Sequence, residues 1–159
     1  MTATGSPELL RHMVATLAYC GGKVVRDVPA GFGSVSAGGG TRSAVEILSH
    51  MGDLLDWALH LADGRHVWAE DNGSDWARQR DRFFSGLSRL DQRLAAGPTP
   101  ETAEGLIQGP LADAFTHVGQ LALLRRLAGA PVRGENYFKA DIRAGEVGVE
   151  QAPPRYEFD

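Results

Sequence analysis

Residues 45–62, VEILSHMGDLLDWALHLA, decide how the rest of the chain reads. Their large apolar side chains, Val45, Ile47, Leu48, Met51, Leu54, Leu55, Trp57, Leu59 and Leu61, recur at helical spacing but are too many for a one-sided surface helix. The segment predicts a largely buried helix from about Thr41, its N-cap, to Ala62, with Gly64 as stop. His50 lies on the stripe of Ile47, Leu54, Trp57 and Leu61 and is expected to point inward. A second stretch, DAFTHVGQ at 113–120, places Asp113 and His117 one helical turn apart on one face. Side-by-side packing of these two helices would bring one carboxylate and two imidazoles together inside a bundle, which is the donor set of a divalent transition-metal site with open positions.

Two further helical segments flank that pair, and the second stretch belongs to a longer fourth region. The first runs from about Ser6, an N-cap followed by Pro7, to Tyr19, with Leu9, Leu10, Met13, Val14 and Leu17 as its stripe and Gly21-Gly22 as its stop. The third, from Ser74 or Asp75 to about Ala96, turns Trp76, Phe83, Leu87, Leu90 and Leu94 inward. Its charges, among them Arg78, Arg80, Asp81, Arg82, Arg89, Asp91 and Arg93, fall mostly outward. The fourth region spans about 101–128, with Gly109-Pro110 as a kink or a fresh start and Gly129 as terminator. Residues 65–73 read as a turn, and 130–159 as an irregular tail anchored by Tyr137, Phe138 and Ile142. No period-2 strand pattern and no internal repeat is visible. The fold class is all-α: a four-helix bundle of the up-and-down type, or with a crossover through the long first loop, in one domain over 1–159.

Composition removes several function classes. The net charge of −4 and the lack of a dense basic stripe argue against nucleic acid. The arginines of the third helix alternate with acids, as on a solvated face. No stretch is long and apolar enough for a membrane span, and Arg11 and His12 interrupt what would be the apolar core of a secretory signal. The expected location is the cytoplasm. Cys20 is the single cysteine, which excludes an internal disulfide and a thiolate zinc cluster; it reads as a small buried apolar residue. The glycines of AGFGSVSAGGG (30–40) lack phosphate-loop spacing and read as a flexible connector at a pocket mouth.

The other candidate residues have plainer readings. His60 is about 80° round the helix from His50 and reads as an outer residue. His12 and His66 read as surface or packing residues. Asp53 either orients the His50 imidazole or faces solvent; Trp57 walls a pocket or packs in the core; Gln120, one turn past His117, is placed to hydrogen-bond near the site.

The segments LSHMGDLLDWAL (48–59) and DAFTHVGQLALLRRLAG (113–129) resemble the DinB/YfiT-like superfamily of four-helix-bundle metalloenzymes, and GENYFKADIRAGEVG (134–148) resembles the tail many members carry. The resemblance implies a metal held by His50 on the second helix and by positions 113 and 117 on the fourth, before Gly119-Gln120. The family has histidine more often than aspartate at position 113. Aspartate shifts the preference from nickel or zinc towards harder ions such as iron or manganese. The resemblance further implies a metal-dependent transferase using a low-molecular-weight thiol such as bacillithiol or mycothiol on an electrophile, or a hydrolase. The alternatives from the residues alone are a non-catalytic ligand- or metal-binding bundle and a structural, homodimeric bundle with a polar core network.

Overall fold

The computed structural model describes residues 6–158. Four helical regions form the bundle: α1 (Ser6–Val25), α2 (Ala44–Ala62), α3 (Trp76–Ala95), and a fourth made of the short α4 (Ala103–Leu106), a π-type turn at Ile107–Leu111, and α5 (Ala112–Leu127). α1 and α2 each pack on both α3 and α5. They therefore occupy opposite corners, and the long loop between them crosses the bundle. This is the crossover form of the expected architecture. The core is one apolar cluster in which Leu17, Leu48, Met51, Leu55, Phe83, Leu87, Leu90 and Leu121 are fully buried. Residues 1–5 and 159, part of the expected domain over 1–159, lie outside the described residues.

Gly21-Gly22 does not stop α1, which continues to Val25. These glycines let α3 approach: a Cβ on Gly21 would sit 2.7 Å from Cζ of the fully buried Phe83. Close helix contact outweighs the poor helix propensity of glycine, which costs about 1 kcal/mol per residue. Gly21→Ala is expected to destabilise the fold by roughly 1–3 kcal/mol, an overpacking cost read by urea denaturation. After Val25 the chain turns away at Asp27, whose φ of 51° is left-handed. There the Arg125 guanidinium of α5 donates to the carbonyls of Arg26 (2.6 Å), Asp27 (3.3 Å) and Val24 (3.4 Å). Leu9, assigned to the inner stripe of α1, is exposed.

The N-cap of α2 is Ser43, not Thr41: the Ser43 backbone N–H donates to Glu46 Oε2 at 2.7 Å in a capping box. Thr41 instead closes the preceding turn by donating to the Gly38 carbonyl. α3 starts after the N-cap Asp75, whose carboxylate accepts from the Arg78 N–H. The Gly109-Pro110 break is a kink, with Gly109 at φ −89°, ψ −106° inside the π-type turn.

The tail differs from an irregular wrap in one respect. Gly134–Glu135 (β1) pairs antiparallel with Glu157–Phe158 (β2). Two-residue strands are too short to show an alternating pattern. Phe138 is no anchor, being 96 % exposed. The tail is held by Glu135, which accepts from Tyr19 Oη (2.7 Å) and Lys23 Nζ (2.8 Å), and by the buried Val147; Ile142 packs partly on the core and Tyr137 stacks edge-on against Tyr19.

Candidate metal centre

α2 and α5 pack against each other, and each contributes an imidazole at the contact. Ile47 and Leu54 flank His50 in the α2 core stripe; Ala114, Val118 and Leu121 do the same for His117 on α5. The His50 and His117 rings meet edge to face, centroids 4.8 Å apart. Asp113 lies in the first turn of α5, directly after the π-type turn that re-aims the helix, where the helix dipole favours a carboxylate. Its Oδ2 is 3.5 Å from His50 Nε2 and its Oδ1 is 3.3 Å from His117 Nε2. One donor atom from each of the three residues falls within a sphere of 4.8 Å mutual separation. The expected convergence of His50, Asp113 and His117 is what the coordinates contain.

The donor chemistry fits a divalent cation. Metal bonds of about 2.1 Å in a tetrahedral arrangement set neighbouring ligand atoms about 3.4 Å apart. The two carboxylate–imidazole separations, one from each Asp113 oxygen, are close to that edge, whereas the widest separation in the group, 4.8 Å, would have to close for all three residues to grip one cation. Both carboxylate–imidazole contacts are longer than the ~2.7–2.9 Å of a charge-assisted hydrogen bond. His117 is buried, His50 half-buried, and the Asp113 side chain 46 % exposed, so the group opens to solvent on the carboxylate side.

The surroundings hold both rings in a ligating state. His117 Nδ1 lies 2.9 Å from Gln120 Oε1. The amide oxygen accepts there, so Nδ1 carries the proton and the Nε2 lone pair faces Asp113. Burial pushes the His50 pKa below its ordinary value, assisted by the positive charge of Arg42 and by the neighbouring His117, beside which a second charged imidazole is disfavoured, and opposed by Asp113. His50 is therefore neutral at pH 7. Trp68, from the 63–75 loop, stacks edge-on against His50 (5.7 Å) and against Trp57 (5.8 Å). Sequence reasoning missed this cover, for which a lone tryptophan in a polar turn was the available signal.

Asp53 does neither of the jobs expected of it. It is buried, pairs with Arg82 at 2.7 Å, and accepts from the Asp71 backbone N–H at 3.0 Å. Asp71 then ties the covering loop to α3, accepting from Arg78 Nη1 and Gln79 Nε2, each at 2.9 Å. Arg78 and Gln79, with the Gly73 N–H, hold the Asp71 carboxyl well below the usual carboxylate range. A depressed folded-state pKa gives stability that is present above the unfolded value near 4 and lost as pH falls further. Wild-type Tm is therefore expected to fall more steeply than that of Asp71→Asn below about pH 4, as followed by circular dichroism.

The remaining histidines stay outside the cluster. His12 is exposed, and His66 is exposed, 3.7 Å from Glu101. His60 is half-buried, its Nδ1 without a hydrogen-bond partner among the described residues. Cys20 is buried as expected, and desolvation raises its thiol pKa to about 11, so it is no nucleophile. Among the described residues, no helix is long and apolar enough to cross a membrane.

No protein-family model matches this chain, and neither a curated protein nor a solved structure is significantly similar to it.

Proposed function

We propose that this chain is a divalent-metal-dependent enzyme of the DinB-like type, with the metal held by His50, Asp113 and His117, acting on an electrophile with a low-molecular-weight thiol or water as nucleophile. The observation that carries the reading is the separation of Asp113 from each imidazole, 3.3 and 3.5 Å. Both contacts are longer than charge-assisted hydrogen bonds, and closing the 4.8 Å spread of the three donors would set them round one cation. Two imidazole nitrogens and one anionic oxygen suit nickel, zinc, iron or manganese, and the aspartate tilts the preference towards iron or manganese.

A divalent cation supplies Lewis acidity, lowering the pKa of a thiol or water towards neutrality. The chain's own residues do the rest. Gln120 fixes the His117 tautomer and ring orientation. Asp113 offsets part of the cation's charge from the open side. Trp68 and Trp57 shield the His50 face. The buried Cys20 thiol stays out of the chemistry, so the sulfur nucleophile comes from a small molecule.

The test is turnover. Metal-loaded protein incubated with bacillithiol or mycothiol and a fluorogenic alkylating electrophile, or with an activated ester, is expected to form product at a rate that chelation and Asp113→Ala each reduce at least about tenfold, the lower end of what loss of a metal-site partner costs. Metal uptake without turnover of either substrate class would leave a metal-binding bundle without catalysis.

A further inference from the structure

Two cavities of opposite character flank the His–Asp–His group. One, of about 470 Å³, is walled by Ile47, Leu123 and Leu124, with His117 and Gln120 on its side facing the site. The other, of about 150 Å³, lies beside His50 and is lined by Glu46, Ser49, Asp53, Glu70 and Asp71. Arg42 lines both. It directly precedes the N-cap Ser43, so the capping box fixes its backbone.

Arg42 differs from the arginines around it. Arg78, Arg82 and Arg93 are each committed to a carboxylate, and Arg125 to helix-terminal carbonyls. Among the described residues, no ion pair or side-chain hydrogen bond engages Arg42. A free guanidinium at the edge of an apolar pocket is a fork-shaped receptor for a carboxylate or similar oxyanion. Leu123, on the wall of that pocket, is 54 % exposed, an apolar contact left unused within the chain. Asp53 and Asp71 in the smaller cavity are neutralised by Arg82 and Arg78, but Glu46 and Glu70 still disfavour an anion there, which places its head at the Arg42 edge and its body on the apolar side. A 470 Å³ cavity is within the range that takes a small organic molecule.

We propose that the pocket between Arg42 and Leu123 binds an amphiphilic organic anion: its oxyanion head on Arg42, its apolar body against Ile47, Leu123 and Leu124, and the intervening carbons beside His117. The chemistry after binding rests on the metal-centre reading; the binding itself does not.

Octanoate and its neutral counterpart octanamide are the probes, titrated calorimetrically into chelator-dialysed protein so that no metal can capture the carboxylate. Wild-type protein is expected to bind octanoate roughly tenfold more tightly than octanamide, the effect of one charged hydrogen-bonded pair. Arg42→Gln should bind both alike, at the octanamide affinity, and Leu123→Ser should weaken both. Equal affinities in wild type, or a preference that survives Arg42→Gln, would overturn the proposal. Zinc uptake by the same preparations is measured separately. A preference for octanoate in protein that takes up no zinc supports the pocket and removes the metal reading; zinc uptake without the preference removes the pocket alone.

Discussion

Replacing His117 with alanine is expected to weaken divalent-metal binding by more than about a hundredfold, while Gln120→Ala weakens it about ten- to a hundredfold. The difference follows from what each side chain touches. His117 is buried and presents Nε2 to Asp113 from the centre of the donor group. Gln120 acts one atom removed, by accepting from Nδ1 and holding the ring. Equilibrium dialysis against zinc or manganese gives both numbers, and the thermal unfolding curve of each metal-free variant shows that the fold survives. His50→Ala should match His117→Ala, because loss of either imidazole leaves two donors. Equal, small losses for all three variants would mean that metal binds elsewhere.

The largest stability effect is expected at Arg82. Its guanidinium reaches Asp53 at 2.7 Å, Asp56 at 2.6 Å and the Ser49 carbonyl at 3.0 Å. Gly52 makes room for it: a Cβ there would lie 2.7 Å from Arg82 Nη1. The Asp53 side chain is 5 % exposed, so Arg82→Met would leave a buried carboxylate without its counter-ion. Breaking one partner of such a pair costs about 3–5 kcal/mol. The double variant Arg82→Met/Asp53→Leu should recover most of that loss, since two apolar groups replace the pair without stranding a charge. Urea denaturation of the single and double variants measures it. A single-variant loss below about 1 kcal/mol would make the pair equivalent to a surface salt bridge.

The helices and the metal candidate were legible for the same reason: both rest on spacing along one element. The inward stripe of α3 and the four-residue step from Asp113 to His117 depend on helical periodicity, which the chain displays directly. The readings that failed depended on partners distant in sequence. Gly21-Gly22 looks like a helix stop until Phe83 is seen against it. Asp53, one turn from His50, looks like its orienting carboxylate, yet Arg82 from α3 claims it. Phe138 looks like an anchor because large apolar residues usually bury, but it faces water while the buried Glu135 holds the tail through Tyr19 and Lys23. Arg42 and Trp68 carry no periodic signal, because they sit in loops whose paths are set by tertiary contacts. Arg82 and Asp91 read as outward charges; Arg82 is largely buried with Asp53, and Asp91 is buried and accepts from Arg11 at 2.9 and 3.0 Å.

The most direct test of the central claim is X-ray absorption spectroscopy on zinc-reconstituted protein, with metal content measured on the same sample. The expected result is one zinc per chain, with a first shell of nitrogen and oxygen at about 2.0–2.1 Å and outer-shell scattering from two imidazoles. Failure to retain zinc or any other divalent transition metal, or a first shell containing no imidazole, would contradict the account.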